Sequence, residues 1–165
     1  MKCFKEILGY AVGAVLFVGL MPFLMWLSCG SPALWPASTA RITVAIILML
    51  AGLSLSVWSI VYMRRKGDGN PMDAFCHELA PRTRHLMTDG PYRLSRNPML
   101  SGSFLYLIGF CIWLWAWQAL LVFVLYVAVM MLQVRSEERR LRRDFGSDYD
   151  DYCHRTGRFF PKRQK

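Results

Sequence analysis

Two groups of side chains in this sequence could do chemistry, and both border the same long apolar stretch. Arg93 and Arg96 come just before Asn97-Pro98. The apolar stretch begins at Pro98, and residues 98–134 contain no acidic or basic side chain. Asn is a favoured helix N-cap and Pro suits the first helical position, so this pair predicts a helix start. Free N–H groups there, beside two guanidinium groups, would bind a carboxylate or a phosphate. An equally good interpretation is that the two arginines extend to lipid headgroups.

The second group is a pair of adjacent acids, Glu137 and Glu138, which follow the apolar stretch inside an otherwise basic segment. One of them could face a cavity and bind a cation or hydroxyl groups. The alternative, which the spacing alone favours, is that Glu138 pairs with Arg142 one helical turn later on an exposed surface.

Three apolar segments must position these groups. Residues 7–27, 42–63 and 98–134 contain no Asp, Glu, Lys or Arg. A helix crosses the ~30 Å hydrocarbon core in about 20 residues, so the first two segments each predict one span. The third is long enough for two, joined near residues 113–118, where aromatic rings suit a membrane interface. We therefore predict an all-α polytopic membrane helix bundle with about four spans. Three spans, one of them long and tilted, is the alternative.

The placement of basic residues favours four spans. The formal net charge is +9, and Lys and Arg concentrate before the first apolar segment, between the second and third, and after residue 134. With four spans these regions share one side, which the positive-inside rule makes cytoplasmic. We predict an integral protein of the inner or cytoplasmic membrane with both termini in the cytoplasm. The surplus positive charge is then explained by the orientation of the chain in the membrane and by attraction to anionic lipid headgroups. No nucleic-acid partner is predicted.

Residues 1–30 could instead be a cleaved secretory signal. Their apolar run is longer than such a signal needs, and residues 26–29 form a poor cleavage site. We therefore treat residues 1–63 as an N-terminal transmembrane hairpin. The five cysteines and three histidines show neither a disulfide framework nor the spacing of metal ligands, so no metal site is predicted.

Beyond residue 134 the chain is expected to stay helical while becoming polar, up to a stop at Gly146. Ser147 and Asp150 match a capping box, which predicts a short second helix. Tyr149 and Tyr152 would lie on one face of that helix.

Two stretches together resemble the integral-membrane methyltransferases, which include isoprenylcysteine carboxyl methyltransferases and phospholipid N-methyltransferases. Residues 86–99, LMTDGPYRLSRNPM, are similar to their signature L-V-T-x-G-P-Y followed by R-[HN]-P. Residues 137–161, which begin with EE and close with RFFP, are similar to their C-terminal signature. The resemblance covers residues 66–161. It implies that residues 64–165 form a methyltransferase core, which uses S-adenosylmethionine to methylate a membrane lipid or another amphiphilic acceptor.

The resemblance also implies where the cofactor binds. In these enzymes S-adenosylmethionine lies on the cytosolic side, between the loop before a late span and the helix after the last span. Arg96 and Glu137 are the candidate catalytic residues. Either Arg93 or Arg96 could take the cofactor carboxylate, and Glu137 could take its ribose or amino group. The implied cofactor-binding residues are Arg84, His85, Leu86, Met87, Tyr92, Arg93, Asn97, Pro98, Met99, Leu100, Glu137 and Glu138.

The chain departs from the isoprenylcysteine branch at two places. That branch has His-Pro-x-Tyr where this chain has Asn97-Pro98-Met99-Leu100, and it has a substrate-binding arginine where this chain has Gln133. The nearest arginine, Arg135, lies about 200° away around the helix. Gln133 and Arg135 are the candidate substrate residues, and the acceptor group stays open among a carboxylate, an amine and a thiol.

Two other functions remain as alternatives. Membrane sterol reductases have a similar C-terminal architecture but use NADPH. They are longer, and no cluster for a 2′-phosphate stands out in this sequence. The third possibility is a membrane protein that keeps the fold without catalysis.

Overall fold

The structure is a computed structural model, and it describes residues 15–32, 38–66 and 85–162. Six helices and no strand occupy these residues, so the predicted all-α class is confirmed. The helices are α1 (Val15–Ser28), α2 (Thr39–Lys66), α3 (Pro91–Leu94), α4 (Pro98–Leu114), α5 (Trp117–Phe145) and α6 (Ser147–Arg155).

Helices α2 and α5 are long and apolar enough to cross a membrane. In the most apolar 18-residue stretch of each helix, only 17% is buried by the rest of the protein. Apolar helix surface with so little protein around it is expected to contact lipid, because water would disfavour it. Helix α4 has 17 residues, which rise about 26 Å and fall short of a ~30 Å core. The structure thus describes two helices of membrane-spanning length, and the count of about four spans stays a prediction.

The third apolar segment divides where the aromatic cluster predicts. Helix α4 ends at Leu114 and α5 begins at Trp117. Trp115 has a positive φ of 50°, which interrupts the helical path. The predicted junction at residues 113–118 is confirmed.

The described chain clusters into two units. The first comprises Met1–Leu53 and Ser103–Val129. Within it, Gly109 of α4 lies so close to α2 that an added Cβ would be 2.8 Å from both Ala45 O and Met49 Cγ. A residue without a side chain thus allows the two helices to approach closely.

The second unit comprises Ser54–Gly102 and Met130–Lys165. Its core contains three buried tyrosines, Tyr92 of α3 with Tyr149 and Tyr152 of α6. The Tyr152 hydroxyl donates to the backbone oxygen of Tyr92 at 2.6 Å, which ties α6 to α3.

Tyr152→Phe keeps the ring and removes one buried hydrogen bond, so we expect it to lower the free energy of unfolding by about 1 kcal/mol. Denaturation of the detergent-solubilised protein, followed by tyrosine fluorescence, measures the change. An unchanged midpoint would contradict the structural role given to this hydroxyl.

The corner between α5 and α6 partly agrees with expectation. Helix α5 continues to Phe145 and the chain turns at Gly146, which has φ 53°, as the predicted stop requires. The predicted capping box is wrong, because Gly146 occupies the N-cap and no side chain caps α6. Asp150 instead accepts a hydrogen bond from Arg142 Nε at 2.7 Å.

After α6 the chain returns along the start of α4 as a short irregular segment, residues 157–159, which we name the C-terminal strap. The N–H of Arg96 donates to Gly157 O at 2.9 Å, and that of Asn97 donates to Arg158 O at 3.2 Å. Ser101 Oγ donates to Phe159 O at 2.9 Å. The helix start at Pro98 is confirmed. Two N–H groups of the predicted anion-binding corner are therefore already bonded to the strap.

Candidate functional site

The second unit contains a cavity whose wall carries charges of both signs. It is lined by Met63, His85, Leu86, Met87, Tyr92, Arg96, Asn97, Glu137, Glu138, Arg140, Leu141, Tyr149 and Tyr152. The enclosed part of the cavity has a volume of about 80 Å³. The empty space is about 740 Å³ when the open mouth is included. Small-molecule sites usually measure about 300–1,000 Å³, so the enclosed part is smaller than such a site. A nucleoside-sized ligand would therefore have to occupy the open mouth as well.

Most of the described residues that the sequence predicts for the site meet in this cavity. The arginine before α4 and both acids of α5 lie in one wall, although they are far apart in the chain. The predicted residues that line the cavity are His85, Leu86, Met87, Tyr92, Arg96, Asn97, Glu137 and Glu138.

Other predicted residues lie elsewhere. Arg84 is outside the described residues. Arg93 and Arg135 are exposed, Gln133, Met99 and Leu100 are half-buried, Pro98 is buried, and none of these six lines the cavity.

Five lining residues were not predicted as site residues: Met63, Arg140, Leu141, Tyr149 and Tyr152. The spacing of Tyr149 and Tyr152 does place them on one helix face, and this was the available signal. Met63 comes from α2, and nothing in the local sequence indicates that the end of that helix reaches the site.

Glu138 is bound by two arginines. Its Oε2 lies 2.6 Å from Arg158 Nη2, and its Oε1 lies 3.0 Å from Arg158 Nε and 3.2 Å from Arg96 Nη1. The side chains of Glu138 and Arg96 are each 13% exposed. The hydrogen bond to Glu138 raises the pKa of the Arg158 guanidinium. The alternative pairing of Glu138 with Arg142 is wrong, since other partners hold both side chains.

Arg96 retains an unused donor. Its Nη1 contacts Glu138 and Cys153 Sγ. Its Nε is buried and has no hydrogen-bond partner within the described ranges. A buried N–H without a partner costs about 1–3 kcal/mol. Because less than 1 Å² of Nε is accessible, a ligand oxygen would reach it only after the Arg96 side chain moves.

The tyrosines of the cavity are neutral donors. Burial raises the pKa of both Tyr149 and Tyr152 above the usual range, and the nearby carboxylate of Glu138 raises that of Tyr149 further. Neither phenol therefore acts as a base near neutral pH. The wall can bind anions through Arg96 and hydroxyl or cationic groups through Glu137.

Comparison with known proteins gives two matches. A nickel-cobalt-cadmium resistance protein, NccN of Alcaligenes xylosoxydans xylosoxydans, is 36% identical to this chain over 86 residues. These residues are 49% of this chain and 38% of that protein, so the chain corresponds to well under half of that relative's length. No solved structure matches.

The second match is to a family. The sequence model for phospholipid methyltransferases matches residues 40–148, which include Arg96, Glu137 and Glu138. Since the match takes in more than half of the chain, including Arg96, Glu137 and Glu138 of the cavity, the chain belongs to the phospholipid methyltransferase family.

Proposed function

We propose that this protein is an S-adenosylmethionine-dependent methyltransferase of the membrane, acting on a lipid or another amphiphilic acceptor. The observation that supports it most is the cavity in which Arg96 and Glu137 meet. The family match supports the reaction class independently.

The residues present fit the cofactor. S-adenosylmethionine carries a carboxylate, a sulfonium, an amino group and a ribose diol, so its site needs charges of both signs within a Debye length of about 10 Å. Arg96, which lines the cavity, would take the carboxylate. Glu137 would take the amino group or the ribose hydroxyls. Leu86 and Met87, with the tyrosines, would enclose the less polar parts.

The chain mainly has to align the reactants and keep the site dry. S-adenosylmethionine supplies a methyl group already activated by its sulfonium. The cavity residues position donor and acceptor and exclude water, which is where such a reaction gains most of its rate. The protonated phenol of Tyr149 can donate a hydrogen bond, whereas that of Tyr152 already donates to Tyr92 O, and neither phenol takes up a proton near neutral pH. A carboxylate or thiolate acceptor would need no base, and an amine would have to arrive in its neutral form.

The acceptor is inferred from the membrane helices. The lipid-exposed character of α2 and α5 supports an acceptor that enters from the bilayer. Gln133 and Arg135 do not line the cavity, so any contact of theirs with the acceptor would lie outside it. The cytoplasmic position of both termini belongs to the same proposal.

Transfer of label tests the function. Membranes that contain the protein are incubated with S-adenosylmethionine tritiated on its methyl group, then separated into lipid, protein and small-molecule fractions. We expect label in the lipid fraction, above membranes that lack the protein. A thermal-shift comparison with NADPH addresses the reductase alternative, and stabilisation by NADPH alone would overturn the proposal.

Removing the charge of Glu137, one of the two acids that line the cavity, tests its proposed role. Glu137→Gln removes one charge, so we expect S-adenosylmethionine binding to weaken about 10-fold or more, as for loss of one hydrogen bond to a charged group. Equilibrium binding of the tritiated cofactor to the solubilised protein measures this. Asp144→Asn is the matched control, because Asp144 is an exposed acid on the same helix. Equal affinities in the two variants would remove Glu137 from the site.

A further inference from the structure

The triad of Arg96, Glu138 and Arg158 supports an inference beyond the proposed function, on which it rests. We propose that Glu138 and Arg158 are positioning residues, which hold Arg96 in the orientation and charge state that binds the cofactor carboxylate. Arg158 does not line the cavity, so it would act on the ligand only through this triad.

Glu138 is fully engaged by guanidinium groups. Arg158 binds it in a two-pronged manner, at 2.6 Å through Nη2 and at 3.0 Å through Nε. Arg96 Nη1 shares the Oε1 oxygen at 3.2 Å. A carboxylate in this state has little capacity left for a ligand hydroxyl or amino group. Its main effect on a ligand is therefore to fix one end of the Arg96 guanidinium beside the cavity.

The charge balance gives Arg158 its importance. Two arginines against one carboxylate leave a net single positive charge on this triad, which favours an anionic ligand group. If the Arg158 charge is removed, Glu138 neutralises Arg96 as a simple pair, and the triad presents no net charge to the ligand carboxylate. The effect is strong because Glu138 and Arg96 are each only 13% exposed, so solvent screens them weakly.

The position of Arg158 is set by the backbone of the C-terminal strap. Asn97 donates to Arg158 O through both its backbone N–H and its side-chain amide, each at 3.2 Å. Adjacent strap carbonyls accept from Arg96 N–H and Ser101 Oγ. These bonds do not involve the Arg158 side chain, which is 36% exposed. A substitution there can thus change the triad while the strap stays in place.

The test compares two nucleosides that differ in the amino-acid part. S-adenosylhomocysteine has the carboxylate, and 5′-methylthioadenosine lacks it. In the full-length solubilised protein we expect Arg158→Met to weaken S-adenosylhomocysteine binding about 10-fold or more, the loss of one charge-assisted contact. Binding of 5′-methylthioadenosine should change by less than about 2-fold. A merely structural role would weaken both alike.

Two further variants complete the design. Arg158→Lys returns the charge but not the two-pronged geometry, so it should restore part of the lost affinity. If Arg158→Met does not fold, Arg158→Lys is tested instead. It should weaken S-adenosylhomocysteine binding more than 5′-methylthioadenosine binding, by a smaller factor than that expected for Arg158→Met. Arg155→Met is the matched control, because Arg155 is exposed and does not line the cavity. It should leave both affinities unchanged.

The outcomes separate this inference from the function on which it rests. If the unmodified protein binds both nucleosides, and Arg158→Met weakens both equally or neither, the positioning role is overturned and the methyltransferase proposal stands. If the unmodified protein binds neither nucleoside, the methyltransferase proposal fails and the positioning role fails with it.

Discussion

Replacing Arg96 with methionine is expected to weaken the binding of S-adenosylhomocysteine by about 100-fold, the upper end for loss of a hydrogen bond to a charged group. The substitution removes the positive charge proposed for the ligand carboxylate. It also leaves the buried Glu138 with Arg158 alone, which turns a positive triad into a neutral pair. Isothermal titration of the solubilised protein measures the loss.

Arg93→Met gives the decisive comparison, because the sequence offers both arginines for the carboxylate. Arg93 is exposed on α3 and does not line the cavity, whereas Arg96 does. We expect Arg93→Met to change the affinity by less than about 2-fold, as for an ordinary exposed side chain. A larger loss in Arg93→Met than in Arg96→Met would reverse the assignment.

Gly90→Ala is expected to lower the free energy of unfolding by about 3 kcal/mol, the sum of backbone strain and a steric clash. Gly90 adopts φ 57° and ψ −127°, a conformation essentially restricted to glycine. A Cβ at this position would also lie 2.6 Å from Tyr62 Cε2. The ring would have to move, and it packs against the tyrosine core of the second unit. Chemical denaturation measures the loss.

Gly146→Ala separates the two causes. Gly146 has nearly the same backbone conformation, φ 53° and ψ −125°, but an added Cβ would meet no atom within 4 Å. We expect it to cost only the strain, about 1–2 kcal/mol. Combining Gly90→Ala with Tyr62→Ala should cost less than the two single losses together, because the clash is gone. Equal losses at both glycines would contradict the close approach of Tyr62.

Local patterns were enough to predict the elements that carry the site. Asn97-Pro98 predicted the start of α4, and the aromatic run at residues 113–118 predicted its separation from α5. The pair of motifs also predicted that Arg96 and Glu137 would share a cavity. Each of these predictions rests on short-range stereochemistry or on a motif whose parts are contiguous in the chain.

Long-range pairing is what local patterns did not predict. Spacing favoured Glu138 with Arg142, a neighbour on the same helix, but the strap supplies Arg158 from beyond α6. An exposed helical pair of this kind is worth about 0.3–0.5 kcal/mol, so a buried two-pronged contact easily displaces it. Arg142 binds Asp150 instead. The capping box fails for a separate, local reason, because α6 begins at Ser147 with Gly146 at its N-cap.

The number of spans is not decided by apolar length alone. Residues 98–134 lack charges throughout, yet the described helices there differ, since α5 has spanning length and α4 does not. Helix α5 gains its length by continuing into the polar residues up to Phe145.

Photolabelling shows where the cofactor binds, because it locates the ligand without relying on activity. The solubilised protein is irradiated with tritiated S-adenosylmethionine, with and without excess S-adenosylhomocysteine, and the labelled peptides are mapped. We predict competable label in peptides from residues 85–97 and 137–152, the two stretches that contribute most of the cavity wall. Competable label confined to residues 103–129, or no competable label at all, would contradict the account.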